Sequence, residues 1–219
     1  MPITRRQYDQ AYFDSFIYRS HPRSRRNVKR LQLILTHKPQ GRLLEIGSGG
    51  GEFLQLAASK FDAWSMDVSP YAASRLSPSL KERVTIGDVE SEAIPNPPYD
   101  VVTAFNVLEH LRRPLATIRK IRQALAPDGI LVGSVPCNAS LLGSVHTAIT
   151  NHFDRTHRST YKVATWRKAF QKAGLPDTRL FGEFMLDGGV CLYLFTPLWP
   201  HLSLNMMFLA RKSAASTPA

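Results

Sequence analysis

The chain of 219 residues is 43% hydrophobic and 21% charged, which excludes a fibrous protein, a coiled coil and a wholly disordered chain and leaves one ordinary globular domain with a small appendage. Its two cysteines, Cys137 and Cys191, can build neither a disulfide framework nor a four-thiolate zinc site, so a cytoplasmic setting is expected. With 28 basic against 17 acidic residues the net charge is +11, a balance that suggests nucleic acid, an anionic membrane surface or an anionic substrate.

Most of the surplus lies at the start. From Met1 to Arg42 ten basic residues (Arg5, Arg6, Arg19, Arg23, Arg25, Arg26, Lys29, Arg30, Lys38 and Arg42) face only Asp9 and Asp14. Met1 to Ser20 carries both signs and no apolar h-region, so it does not read as a secretory signal. Tyr8, Tyr12, Phe13, Phe16 and Ile17 recur at helical spacing up to His21-Pro22, and Val28, Leu31, Leu33, Ile34 and Leu35 form a second helical pattern that stops before Pro39. Residues 1–40 are therefore expected as a basic helical lid, with Tyr12, Tyr18 and Arg19 candidates to close a site beneath it.

After Gly41 the texture changes. Arg42 to Gly47 is a buried-strand run that empties into glycines and a helix, Glu52 to Lys60. Ala63 to Val68 predicts a second strand, Ser69-Pro70 a helix through Leu76, and Arg83 to Ile86 a third strand ending at Gly87-Asp88. The fourth strand is Tyr99 to Phe105, followed by Val107 to Leu111, a helix from Pro114 to Leu125, and a fifth strand from Ile130 to Val135. The pattern weakens from Pro136 to Ser159. Lys162 to Ala173 predicts a helix closed by Gly174, and Thr178 to Phe184 and Asn205 to Ala210 the last two strands. This alternation argues for an α/β fold with a parallel sheet and crossover helices. Residues 41–212 form the expected main domain and 213–219 a loose tail.

Glu45, Gly47, Ser48, Gly49 and Gly51 lie at the first strand-to-helix turn, where glycines admit positive φ and bring backbone amides close to a ligand. The loop lacks the Lys and Ser or Thr of a P-loop. It also carries Glu52 where a dinucleotide fold wants Gly or Ala. Two carboxylates, Glu45 and Glu52, with no cation suit a ligand that is itself positive, and S-adenosylmethionine carries a sulfonium and an ammonium. Asp67 ends the second strand, placed to accept hydrogen bonds from both ribose hydroxyls, and Asp88 ends the third, placed for the adenine amino group. Either Asp alone also serves as a helix cap or turn former.

With LLEIGSGGGEF (Leu43 to Phe53), MDVS (Met66 to Ser69), GDVE (Gly87 to Glu90), YDVVTAFNVLEHL (Tyr99 to Leu111) and ALAPDGILVGSVP (Ala124 to Pro136) in order, the chain resembles the class I S-adenosylmethionine-dependent methyltransferases, in particular the ubiquinone-biosynthesis-type O-methyltransferases. The resemblance implies a Rossmann-like, seven-stranded, mostly parallel sheet with helices on both faces and one antiparallel strand near its edge. It also implies that Glu45, Gly47, Ser48, Gly49 and Gly51 face the methionine part of the cofactor and that Asp67, with Val68 beside it, faces the ribose. Asp88 and Val89 would then face the adenine, and Asn106 the amino-acid end through its backbone.

Asn96-Pro97-Pro98-Tyr99 spells the tetrapeptide by which amino-group methyltransferases hold a nitrogen, but here it precedes the fourth strand and reads as a proline-rich connection. Methyl transfer needs a base only when the acceptor keeps its proton. The candidates are His110, His152 and His157, with Asp154 between the last two. Asn106 stands where related enzymes carry the first carboxylate of an E-x-x-E-H metal pattern, so no metal is expected. Tyr161 and Trp166 line the pocket or pack the next helix, with packing favoured for Trp166.

No residue from Gly188 to Ala210 is charged, but Pro197, Pro200, His201, Ser203 and Asn205 argue against a membrane span. This stretch reads as an apolar connection to the last strand. A second reading makes Leu192 to Trp199 an apolar lip for a lipid or polyprenyl substrate and a point of peripheral membrane contact. The expected acceptor is a small organic or lipid-linked molecule methylated on oxygen. Two rivals remain: an RNA methyltransferase gripping phosphates with Arg19 to Arg30, and a non-catalytic cofactor-binding partner subunit.

Overall fold

The computed structural model of the chain describes residues 8–14, 23–136, 158–159, 161–186, 190–194 and 205–213. A short helix α1 (Gln10–Asp14) and a longer α2 (Arg23–Leu35) lead into β1 (Arg42–Ile46). Then follow α3 (Glu52–Ala57), β2 (Asp62–Asp67), α4 (Pro70–Ser74), α5 (Pro78–Lys81), β3 (Val84–Ile86), β4 (Tyr99–Phe105) and a single 3-10 turn at Leu108–His110. The chain continues with α6 (Pro114–Ala124), β5 (Leu125–Pro136), α7 (Val163–Lys172), β6 (Thr178–Leu186), β7 (Val190–Leu194) and β8 (Asn205–Arg211). No described helix is long and apolar enough to cross a membrane.

The strands form one sheet in the order β3-β2-β1-β4-β5-β8-β6-β7. The first five pair in parallel, and β8 enters antiparallel between β5 and β6. The seven-stranded mixed sheet is thus present, and β7 adds an eighth strand antiparallel to β6 at the edge. That addition corrects the reading of Val190–Leu194 as connection. Its VCLYL sequence is rich in strand formers and follows Asp187-Gly188-Gly189, a composition suited to a hairpin turn.

Alternation along the strands divides the core in two. Leu44, Ile46, Val102, Ala104 and Leu131 face α6 and α7 through Ile118, Ile121, Trp166 and Phe170. Leu43, Val101, Ile130 and Val132 face α2 and α3 through Leu31, Ile34, Phe53 and Leu54. Helix α2 repeats burial at Arg26, Asn27, Arg30, Leu31 and Ile34, one stripe at helical period, while Arg25, Val28, Lys29 and Gln32 are exposed. Two arginines of the basic segment, Arg26 and Arg30, are therefore inside, although a run of like charges ordinarily forms a solvated helix face. Because β1 to β4 run in parallel, the loops after all four strands emerge at one edge of the sheet, where ligands of open α/β sheets bind.

Candidate functional site

The loop after β1 can be made only with glycine. Gly47, Gly49 and Gly51 have φ of 74°, 52° and 78°, the left-handed region that L side chains avoid. Space is as restrictive as conformation, since a Cβ on Gly47 would lie 2.6 Å from Val107 Cγ2 and one on Gly51 2.0 Å from Leu76 Cδ2. The amide of Gly51 donates to the Ser48 carbonyl at 2.9 Å, closing a turn that tucks Ser48 inside and leaves Gly47 exposed.

Three carboxylates surround this loop. Asp67, at the end of β2, accepts from the Gly49 amide through Oδ2 at 2.9 Å and from the Ser69 amide through Oδ1 at 2.7 Å. Burial raises its pKa, and these amide donors together with Ser48 hold it back. Glu45 is buried at the end of β1, and its Oε2 has no hydrogen-bond partner among the described residues. Its pKa is pushed well above the ordinary carboxylate value, first by burial and then by the charges of Asp67 and Glu52; Arg30 and the Leu54 amide counteract this in part. A buried anion beside two others is costly until a cation arrives, so this arrangement fits a cationic ligand and repels an anionic one.

The turn after β3 is held by its own side chains. Asp88 accepts from the Glu90 amide at 2.8 Å and the Ser91 hydroxyl at 3.1 Å, so it is a turn former, with a lone pair still available on each oxygen. Val89 is buried beside it and Val68 is half-buried at the end of β2. Lys120 reaches over from α6 and donates to the carbonyls of Val89, Glu90 and Glu92 at 2.7, 3.2 and 2.7 Å. Sequence reasoning missed Lys120, because a lysine within a surface helix carries no local sign that it organises a turn some thirty residues earlier.

At the end of β4, Asn106 takes a φ of 54° and its Oδ1 accepts from the Ser134 hydroxyl at 2.6 Å. His110 closes the 3-10 turn, largely buried, with Nε2 4.0 Å from Glu109 Oε1. The amides of Arg158 and Ser159 donate to the Glu109 carbonyl at 2.7 and 2.8 Å. His152, Asp154, His157, Tyr18, Arg19 and Trp199 lie outside the described residues. Trp166 is fully buried and packs at 5.1 Å on the half-buried Tyr161.

The N-terminal segment reaches both sides of this edge. The carbonyl of Tyr8 accepts from Ser69 Oγ at 2.5 Å, and its ring stands edge-on to His110 at 6.1 Å. Tyr12 packs on Tyr8 at 4.9 Å, and the buried Phe13 lies 5.8 Å from Tyr71. Among the described residues no group of three or more His, Cys, Asp or Glu is placed to hold a metal ion. The Asn96 to Tyr99 segment lies at the opposite end of β4, where Arg42 donates to the carbonyls of Asn96 and Pro98.

A family model described as a methyltransferase domain matches residues 18–180. The ubiquinone biosynthesis O-methyltransferase of Yersinia enterocolitica is 32% identical over 118 residues, 49% of this chain and 49% of that protein. The mitochondrial enzyme of the same name from Schizosaccharomyces pombe is 29% identical over 120 residues, 51% of this chain and 43% of its own. The matches thus span about half the length of these curated relatives. Among solved structures, a SAM-dependent methyltransferase of Thermotoga maritima is similar with a TM-score of 0.72 at 16% identity, covering 92% of this chain and 98% of the other. An N-methyltransferase of Bradyrhizobium japonicum, solved with S-adenosyl-L-homocysteine, has a TM-score of 0.60 at 17% identity, over 94% of this chain and 95% of the other. At such identities the likeness shows the fold.

Proposed function

The chain belongs to the methyltransferase domain family, and on that premise we propose that it transfers a methyl group from S-adenosylmethionine to an oxygen of a small organic or lipid-linked acceptor. The observation that carries the cofactor assignment is the set of Glu45, Glu52 and Asp67 around the glycine loop, three carboxylates whose mutual repulsion a cationic ligand relieves. When bound, the cofactor supplies an electrophilic methyl carbon on a sulfonium that departs as a neutral thioether. The chain's own task is then alignment and exclusion of water. Glu45 and the glycine loop hold the methionine part, Asp67 accepts from the ribose hydroxyls, the Asp88-Val89 turn meets the adenine, and Asn106 faces the amino-acid end.

Tyr8 and Tyr12 cover the edge between Ser69 and His110, which is the position a lid requires. His110, facing this cover, is the described side chain placed to take the proton of a hydroxyl acceptor. Oxygen as the methylated atom is supported by the named activity of the two ubiquinone biosynthesis relatives. Arg26 and Arg30 are buried, which withdraws two cations from any phosphate grip and weakens the RNA reading.

Calorimetry with S-adenosylmethionine tests the premise: the wild-type chain binds and Asp67→Ala binds far more weakly, whereas a wild-type chain that fails to bind ends this reading. Transfer of labelled methyl groups to a cell extract, fractionated into RNA, protein, lipid and small molecules, tests the acceptor. Label confined to lipid or small molecules supports the proposal, and label in RNA reverses it.

A further inference from the structure

Arg30 sits in α2 with 3% of its surface exposed, and three strands meet on its guanidinium. Its Nε and Nη2 each donate at 3.0 Å to the two oxygens of Glu183 in β6, a forked pair in which Glu183 is wholly buried. Nη2 also donates to Ser134 Oγ of β5 at 3.0 Å, and the guanidinium carbon lies 4.2 Å over the ring of Phe105 at the end of β4. Burying such a pair gives little net stability, because desolvation offsets attraction and apolar residues of the same volume would do as well. What the pair supplies is a fixed direction.

Arginine has donors only. Ser134 Oγ must therefore accept from Arg30, so its one proton turns to Asn106, at 2.6 Å. That fixes the amide: Asn106 meets Ser134 with Oδ1, which leaves Nδ2 as the donor end of the side chain, on a residue whose left-handed backbone is itself anchored by a 2.8 Å hydrogen bond from its amide to the Ser134 carbonyl. Glu45 lies on the same face, so the rim has an acceptor for an ammonium and a donor for a carboxylate, the two charged groups of an α-amino acid. We propose that Arg30 is a positioning residue which, through Ser134, orients the Asn106 side-chain amide toward the carboxylate of the cofactor's amino-acid end. This inference rests on the assignment of S-adenosylmethionine to the site.

The test compares two ligands by calorimetry: S-adenosylhomocysteine, which has the amino-acid end, and 5′-methylthioadenosine, which lacks it. Ser134→Ala breaks the relay and leaves the Arg30 to Glu183 pair intact. It should weaken S-adenosylhomocysteine about tenfold or more, as for a lost hydrogen bond to a charged group, and leave methylthioadenosine unchanged. Arg30→Met combined with Glu183→Met, which removes the pair without stranding a charge, should give the same one-sided loss and serves if the first variant does not fold. Equal losses for both ligands, or none for either, overturn the proposal. If the wild-type chain binds neither ligand, the cofactor assignment falls and this inference with it.

Discussion

Two glutamates, Glu45 and Glu183, are buried on the same face of one sheet, yet they live in opposite surroundings. Glu183 is gripped by the guanidinium fork of Arg30. Glu45 has one oxygen with no hydrogen-bond partner among the described residues, and the charges of Asp67 and Glu52 act on it more strongly than the opposing charge of Arg30. A carboxylate completed within the chain holds the structure in register, whereas one left incomplete marks the place where something else must bring the cation. The edge thereby divides into an acidic rim at β1 and β2 and a self-neutralised rim at β5 and β6, which the proposed site uses to receive and to orient the ligand.

The largest effect expected from breaking this contrast is on the completed side. Glu183→Ala strands Arg30 in the core and should cost about 3–5 kcal/mol of stability, measured by denaturant unfolding. A loss under ~1 kcal/mol would show that Arg30 reaches water and that the pair is not closed. Next comes Asp67→Ala, which removes the proposed acceptor of two ribose hydroxyls. With hydrogen bonds to a charged group at about 1.5 kcal/mol each, affinity for S-adenosylhomocysteine should fall about a hundredfold in calorimetry. Retention of binding within threefold would remove Asp67 from the site.

Glu45→Gln should act in the opposite sense on stability. The raised pKa of Glu45 means that the free fold prefers the neutral acid. Its stabilising contribution is complete below the ordinary carboxylate value of 4.5 and is lost as pH rises from there through the raised folded value. Gln keeps the shape without the charge, so the free variant should melt higher than the wild type at neutral pH. Its melting temperature should fall less as pH rises, the remainder belonging to Asp67, which is raised by burial in the same sense. Cofactor affinity should meanwhile drop about tenfold, the scale of one charge-assisted hydrogen bond. A variant that melts lower than the wild type at neutral pH would mean that Glu45 is already compensated.

How much of this was legible in the sequence follows from how far apart the partners lie. The glycine loop, Asp67 and the Asp88 turn are local patterns at strand ends, and β1, β2, β4 and α7 fall within a residue or two of their predicted bounds because period and turn chemistry agree there. Helix α5, four residues after Ser77, is too short to show a period. Arg26 and Arg30 have a residue type that ordinarily stays in water, although they share the spacing of Leu31 and Ile34; only the contact of Arg30 with Glu183, 153 residues away, shows why that position turns inward. The cover formed by Tyr8 depends on a carbonyl bonded to Ser69, which no side-chain pattern announces.

The smallest effect expected sharpens the contrast from beside Glu45. In the sheet register Glu45 is flanked by Ser65 on β2 and Thr103 on β4, so the three side chains form a row on one face. Ser65 Oγ and Thr103 Oγ1, like Glu45 Oε2, have no hydrogen-bond partner among the described residues. A buried hydroxyl without a partner loses its solvation and gains nothing in return. Thr103→Val keeps the branched shape and deletes the hydroxyl, so in the free protein it should be neutral or stabilise by up to about 1 kcal/mol, read by denaturant unfolding at neutral pH. Cofactor affinity should stay within about twofold, because the proposed site assigns no ligand contact to Thr103, although it stands in the same row as Glu45. If Thr103→Val instead destabilises by more than ~1 kcal/mol, the hydroxyl serves Glu45 in the folded chain, and the two glutamates differ less than their surroundings imply.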